Sequence, residues 1–220
     1  MIQITKRDLL PFIRSYLPDN PVIVEAGSFD GHDTLAMSRF WPHGTIHAFE
    51  PVPEIFMQLA TNTTACSNVR CYPYALSNTT GTASLYVSAK PEAPDQPCQA
   101  GSLLKPKERL TWSNIVYPKT ITVHTITLDD WATHNAVDHI DFLWLDVQGF
   151  ALQILQAAPQ MLATLKALYV EVEFIEAYEQ QHQYHDVRQW LEDQGLEMIA
   201  RDFTDAPTWF FGNALFVRKN

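Results

Sequence analysis

The chain reads as an α/β protein built on a doubly wound, mostly parallel sheet, and three features of the sequence predict it. Short aliphatic and β-branched runs alternate with stretches whose apolar residues recur at helical spacing, as in parallel strands joined by crossover helices. A glycine turn, Gly27 to Gly31, separates the first such run from the first strong helical pattern. Near the C-terminus two strand-like segments follow each other with no helix between them, so one of the two is expected to run antiparallel.

At 220 residues the chain is expected to form one domain with a full core. Its 46% hydrophobic and 18% charged residues are ordinary for a globular protein. A formal net charge of -10 repels phosphodiester backbones and argues against nucleic acid as a partner. Residues Met1 to Thr5 lack the basic start and apolar core of a signal peptide, and no apolar run approaches membrane-spanning length. The three cysteines, Cys66, Cys71 and Cys98, are odd in number and lack C-x-x-C spacing. Together these features predict a cytoplasmic protein with reduced thiols and no membrane partner.

In chain order, Asp8 is expected to cap a short helix with Pro11 in its first turn and Leu9, Phe12, Ile13 and Tyr16 on one face. Val22 to Val24 suits a strand buried on both faces. Asp30 and Asp33 take the N-cap and first-turn positions of a helix carrying Leu35, Met37 and Phe40. Thr45 to Phe49 is the second strand, Pro51 to Pro53 opens the next helix, and Val69 to Leu76 is the third strand, with Pro73 marking an edge or a break. Residues 77 to 120 are too apolar and aromatic for a linker and read as an insertion covering the mouth of the site. Ile121 to Ile126, Ile140 to Val147, Leu168 to Phe174, Leu196 to Phe203 and Asn213 to Arg218 complete the strands, and Gly195 closes the last helix as a C′ glycine.

The first strand, turn and helix lead to a second strand that ends on Glu50, which makes a nucleoside-holding unit with an acid at the tip of each strand. Free N–H groups at a helix start favour an anionic ligand group, and a carboxylate at the second strand's tip can accept from both ribose hydroxyls. A dinucleotide requires G-x-G-x-x-G, yet Phe29 occupies the middle glycine's place in Gly27-Ser28-Phe29-Asp30-Gly31. Glu25 would repel a pyrophosphate and attract the amino group of S-adenosylmethionine, so the methyl donor is preferred as cofactor. The carboxyl ends of the strands then gather residues 25–31, Glu50, residues 74–76, Asp146 and Glu171 on one edge. Methyl transfer to an alcohol also needs an acceptor for its proton. Asp146, at the end of the fourth main strand, and Glu171 are the candidates, and a rival reading makes Asp146 a helix N-cap.

The segments EAGSFDG (25–31), AFEPVPE (48–54), NVRCYPYALSNTTGTASLYVS (68–88), AGSLL (100–104), TLDDW (127–131), LDVQG (145–149) and NALFV (213–217) resemble the FkbM family of S-adenosylmethionine-dependent methyltransferases. The resemblance implies the class I methyltransferase (Rossmann-like) fold and O-methylation of a hydroxyl on a saccharide or secondary metabolite. It implies that Glu25, Gly27 and Gly31 shape the methionine end, within a turn that includes Ser28 and Asp30. It further implies that Glu50 holds the ribose and that Ala75 and Leu76 line the adenine. Phe29, Trp144, Gln148 and Ala151 depart from the residues the family often carries, and three of these changes remove charged groups from the reaction centre, against a metal site. A non-catalytic nucleoside-binding module and a nicotinamide-dependent oxidoreductase stand as the alternatives.

Overall fold

The structure is a computed structural model and describes residues 2–204 and 208–219. In chain order the elements are β1 (Ile2–Gln3), α1 (Lys6–Ile13), β2 (Val22–Ala26), α2 (His32–Phe40), β3 (Thr45–Phe49), α3 (Pro53–Thr63), β4 (Val69–Tyr72), β5 (Ala75–Leu76), β6 (Gly81–Lys90) and β7 (Ala93–Pro97). Then come α4 (Arg109–Trp112), β8 (Val116–Ile126), α5 (Leu128–His134), β9 (Phe142–Leu145), α6 (Ala151–Gln156), α7 (Pro159–Thr164), β10 (Ala167–Glu173), α8 (Tyr184–Asp193), β11 (Leu196–Arg201) and β12 (Phe211–Arg218).

The main sheet runs β1-β11-β12-β10-β9-β2-β3-β4. Its central pairs are parallel, and β12 lies antiparallel to both β10 and β11. The mostly parallel sheet with an antiparallel strand near the C-terminus is therefore present. Successive residues of a strand face opposite ways. Val24 and Leu143 accordingly enter a core with Trp131 and the α6–α7 side, while Ile23 and Phe142 enter a second core with Leu9, Ile13 and Met37. Being buried on both faces is why β9, and β2 up to Glu25, read as apolar runs.

The expected third strand is two strands in two sheets. Pro73 lacks the N–H a ladder needs, so β4 ends at Tyr72 as the edge of the main sheet and β5 joins a second sheet. That sheet, β5-β8-β6-β7, holds most of residues 75–126 in place of an irregular excursion. A long antiparallel pairing of β6 with β8 forms its body.

Several boundaries also differ from the expectation. Thr5, not Asp8, is the N-cap position of α1; its hydroxyl donates to Asp8 at 2.6 Å, and Pro11 lies inside the helix. Gly31, not Asp30, is the N-cap of α2, at φ 87°, with Asp33 in the first turn. The two-residue β1 had no legible pattern. Gly195, at φ 78°, follows the end of α8 as expected. All three cysteines are free thiols. Among the described residues no helix is long and apolar enough to cross a membrane.

Candidate active site: two cavities that share Asp146

Strand order in the main sheet reverses between β2 and β9, which opens a crevice at the carboxyl ends of both strands. Gly27 lets the two strand ends approach: it has φ 82°, and a Cβ there would lie 1.9 Å from the backbone oxygen of Asp146. A cavity open to solvent fills the crevice, at the place where open α/β sheets hold their ligands. Ala26, Gly27 and Glu50 come from the strand ends, Val52 and Ile55 from the start of α3, and Ala75 and Leu76 from β5. Leu85, Cys98, Gln99 and Leu103 reach in from the second sheet and the loop after it, and Asp146 and Phe150 close the remaining side.

Glu50 is the acid on the strand-end side of this largely apolar wall. The N–H of Val52 donates to one carboxylate oxygen at 2.8 Å and that of Phe29 to the other at 3.2 Å. Each oxygen thus keeps a free lone pair. Burial nevertheless pushes the Glu50 carboxyl up to about 8, against the lowering by those two N–H groups. Apolar walls for a base and a two-oxygen acceptor for a ribose diol fit the nucleoside of S-adenosylmethionine.

A second cavity adjoins the first, and Gln99 and Asp146 line both. Its wall is of the opposite character. It carries Lys6, Arg109, Gln148, Glu171 and Asn213 beside the rings of Trp144, Tyr169 and Phe211. Lys6 pairs with Asp33 at 2.5 Å and stands 5.3 Å from the Trp144 ring centroid.

Gln148 bridges the two candidate acids. Its side-chain N–H groups donate to Asp146 at 2.7 Å and to Glu171 at 2.8 Å. The Tyr178 hydroxyl donates to its amide oxygen at 2.9 Å, which fixes which end of the amide faces the acids. The Ser102 hydroxyl donates to its main-chain oxygen at 2.7 Å, holding a residue at φ 49°, where a side chain is rarely found. Burial raises both carboxyls above the usual range; Gln148 lowers Asp146 again, and the Asp146 charge raises Glu171 further. Glu173, two residues along β10, has one carboxyl oxygen without a partner and is pushed up to about 8 by burial. Carboxyls raised in this way take up a proton more readily than exposed ones, the property a general base uses.

The structure brings Gly27, Glu50, Ala75, Leu76 and Asp146 to the first cavity and Glu171, with Asp146, to the second. Glu25, Ser28, Asp30 and Gly31 line neither. Strand alternation explains Glu25: Ala26 faces the crevice, so Glu25 turns to the other side of the sheet, where the Thr34 hydroxyl of α2 donates to it and burial raises it to about 8. Ser28 ties the turn together, its hydroxyl donating to the Glu25 carbonyl and accepting from the Phe49 N–H, both at 3.1 Å. Asp30 accepts from the His32 N–H at 3.2 Å on the surface. Gly31 packs against α3, where a Cβ would lie 2.8 Å from Leu59. Asp146 does not cap a helix, since α6 starts after Phe150. Lys6, Gln99, Arg109, Tyr169, Phe211 and Asn213 carried no local signal in the sequence.

Comparison with known proteins agrees with this geometry. The chain is 28% identical to the 2-O-methyltransferase NoeI of Sinorhizobium fredii over 165 residues, covering 74% of this chain and 68% of that protein. It is 27% identical to the methyltransferase sdnD of Sordaria araneosa over 224 residues, covering 88% and 80%. Among solved structures, the magnesium protoporphyrin IX methyltransferase ChlM of Synechocystis, with bound S-adenosylmethionine, superposes with a TM-score of 0.54 at 10% identity over 97% of this chain and 77% of that one. At that identity the likeness shows the class I methyltransferase fold alone. The methyltransferase FkbM domain matches residues 25–198. The chain belongs to the FkbM family and is an S-adenosylmethionine-dependent methyltransferase.

Proposed function

We propose that this methyltransferase acts on a hydroxyl of a saccharide or a secondary metabolite, with Asp146 accepting the proton that the hydroxyl loses. The observation that carries this reading is the position of Asp146 on the shared wall of an apolar cavity and a polar one. Glu50 and the apolar wall hold the nucleoside in the first cavity. When bound, the cofactor supplies an electrophilic methyl group. The acceptor occupies the second cavity, where amides and carboxyls can bind hydroxyls and ring faces can cover the C–H face of a sugar. Much of the acceleration then comes from alignment, and Gln148 supplies it by fixing Asp146 relative to Glu171. Glu171 shares that amide, and the Asp146 charge raises its carboxyl further.

Three further observations support the reading. The relative NoeI is a 2-O-methyltransferase by name. The net charge of -10 disfavours a nucleic-acid acceptor. Residues 77–120 contribute Gln99 and Arg109 to the polar cavity, consistent with a role in choosing the acceptor within a single domain. The test is a methyl-transfer assay against a panel of glycosides, hydroxylated polyketides and short RNAs. Product methylated on oxygen in the first two groups is expected; transfer to RNA alone, or to nitrogen, overturns the proposal.

A further inference from the structure

We propose that the polar cavity holds a subsite for a carboxylate of the acceptor, gripped by Arg109, so that the substrate is an acidic saccharide of the uronic acid kind. The inference rests on reading that cavity as the acceptor site. Arg109 is only 8% exposed, its Nε has no hydrogen-bond partner, and none of the ion pairs among the described residues includes it. A guanidinium cannot shed its proton, and a buried ion without a partner costs several kcal/mol.

What holds Arg109 does not make up that cost. Its guanidinium carbon lies 4.5 Å from the Trp112 ring centroid and 5.5 Å from that of Phe211. Such contacts are weak beside the desolvation of a buried ion. Asp146, Glu171 and Glu173 feel its charge through space, but none of them forms an ion pair with it among the described residues. The other cation of the cavity, Lys6, is already paired with Asp33. One fixed charge, with its Nε unpartnered and no ion pair, therefore faces the acceptor space. A planar carboxylate matches the guanidinium fork with two parallel hydrogen bonds. The rings of Trp112 and Phe211 keep that fork oriented before the ligand arrives.

The test measures binding to the protein saturated with S-adenosylhomocysteine, by saturation-transfer NMR, for methyl glucuronoside, methyl glucoside and glucose 6-phosphate. The glucuronoside is expected to bind about tenfold or more tightly than the neutral glucoside, as a charged hydrogen-bond pair implies. Arg109→Met should erase that difference and leave S-adenosylhomocysteine affinity unchanged, and Arg109→Lys should retain part of it. Equal affinity of the two glycosides in the wild type overturns the subsite, as does a preference that survives Arg109→Met. Tighter binding of glucose 6-phosphate overturns the carboxylate assignment. If Arg109→Met does not fold, the wild-type comparison decides alone. Methyl transfer to the neutral glucoside with no gain for the glucuronoside removes this subsite and leaves the O-methyltransferase reading intact. Transfer to no hydroxyl at all, by protein that binds S-adenosylhomocysteine, fails that reading instead.

Discussion

The two cavities share a wall, yet they are built from opposite materials. The first cavity is largely apolar; besides the shared Asp146 it carries Glu50, whose oxygens are positioned by main-chain N–H groups of the adjoining turns. The acceptor cavity is lined by charges, amides and aromatic rings that arrive from distant parts of the chain. The difference teaches that one half of the site is made by backbone geometry and the other by side chains. The backbone half is common property of the fold, and the side-chain half is where this chain can differ from its relatives.

Substitutions that act on one cavity and spare the other test this contrast. The largest effect is expected for Asp146→Asn, which removes the proton acceptor while keeping shape. Methyl transfer should fall about 10²–10⁴-fold, the usual worth of a general base, while calorimetric affinity for S-adenosylhomocysteine stays within a fewfold. A loss of cofactor binding of the same size would place Asp146 in the first cavity only. Glu50→Ala should do the reverse. Affinity for S-adenosylhomocysteine should drop about a hundredfold or more, as two hydrogen bonds to a charged group imply; unchanged affinity would remove Glu50 from the nucleoside site. Because Glu50→Ala also orphans the Phe29 and Val52 N–H groups, Glu50→Gln serves as the milder companion, checked by thermal melting.

Gln148→Leu sharpens the contrast further. Its amide lowers the Asp146 carboxyl, so without it the carboxyl rises and the acidic limb of the kcat/KM profile should move to higher pH. We expect a loss of about tenfold in kcat, the worth of one charged hydrogen bond, with cofactor affinity unchanged. An unmoved pH profile would leave Gln148 a packing role alone. The smallest effect concerns pH and the cofactor. Glu50 sits at about 8 when nothing accompanies it, and a ribose diol donates to the carboxylate form and lowers it. Binding then releases a proton, so affinity for S-adenosylhomocysteine should rise severalfold from pH 6.5 to pH 8 and level off above. Titration in two buffers of different ionisation enthalpy reads the proton directly; affinity that falls over this range contradicts the assignment.

How much of this was legible follows from the same contrast. The first cavity lies in contiguous stretches, and its strands, glycine turn and Glu50 could be read from local pattern alone. Asp146 and Glu171 could be placed at the crevice because the carboxyl ends of parallel strands meet at the switch point. Glu25 was misplaced by treating the strand tip as a point, although the alternation of Val24, Glu25 and Ala26 already turned it from the crevice. The split of Val69 to Leu76 over two sheets was marked by Pro73, but which sheet received β5 depended on β8, some 50 residues on in sequence. Lys6, Arg109 and Asn213 meet only through tertiary packing, so no spacing rule could have joined them.

The central claim is that Asp146 stands between a bound nucleoside and an open acceptor space. A crystal structure with S-adenosylhomocysteine tests it most directly. The expected result is ribose hydroxyls on Glu50, adenine against Ala75 and Leu76, and the sulfur directed past Asp146 toward an unfilled cavity bounded by Gln148 and Arg109. Homocysteine filling that polar cavity, or a nucleoside seated away from Glu50, would contradict it.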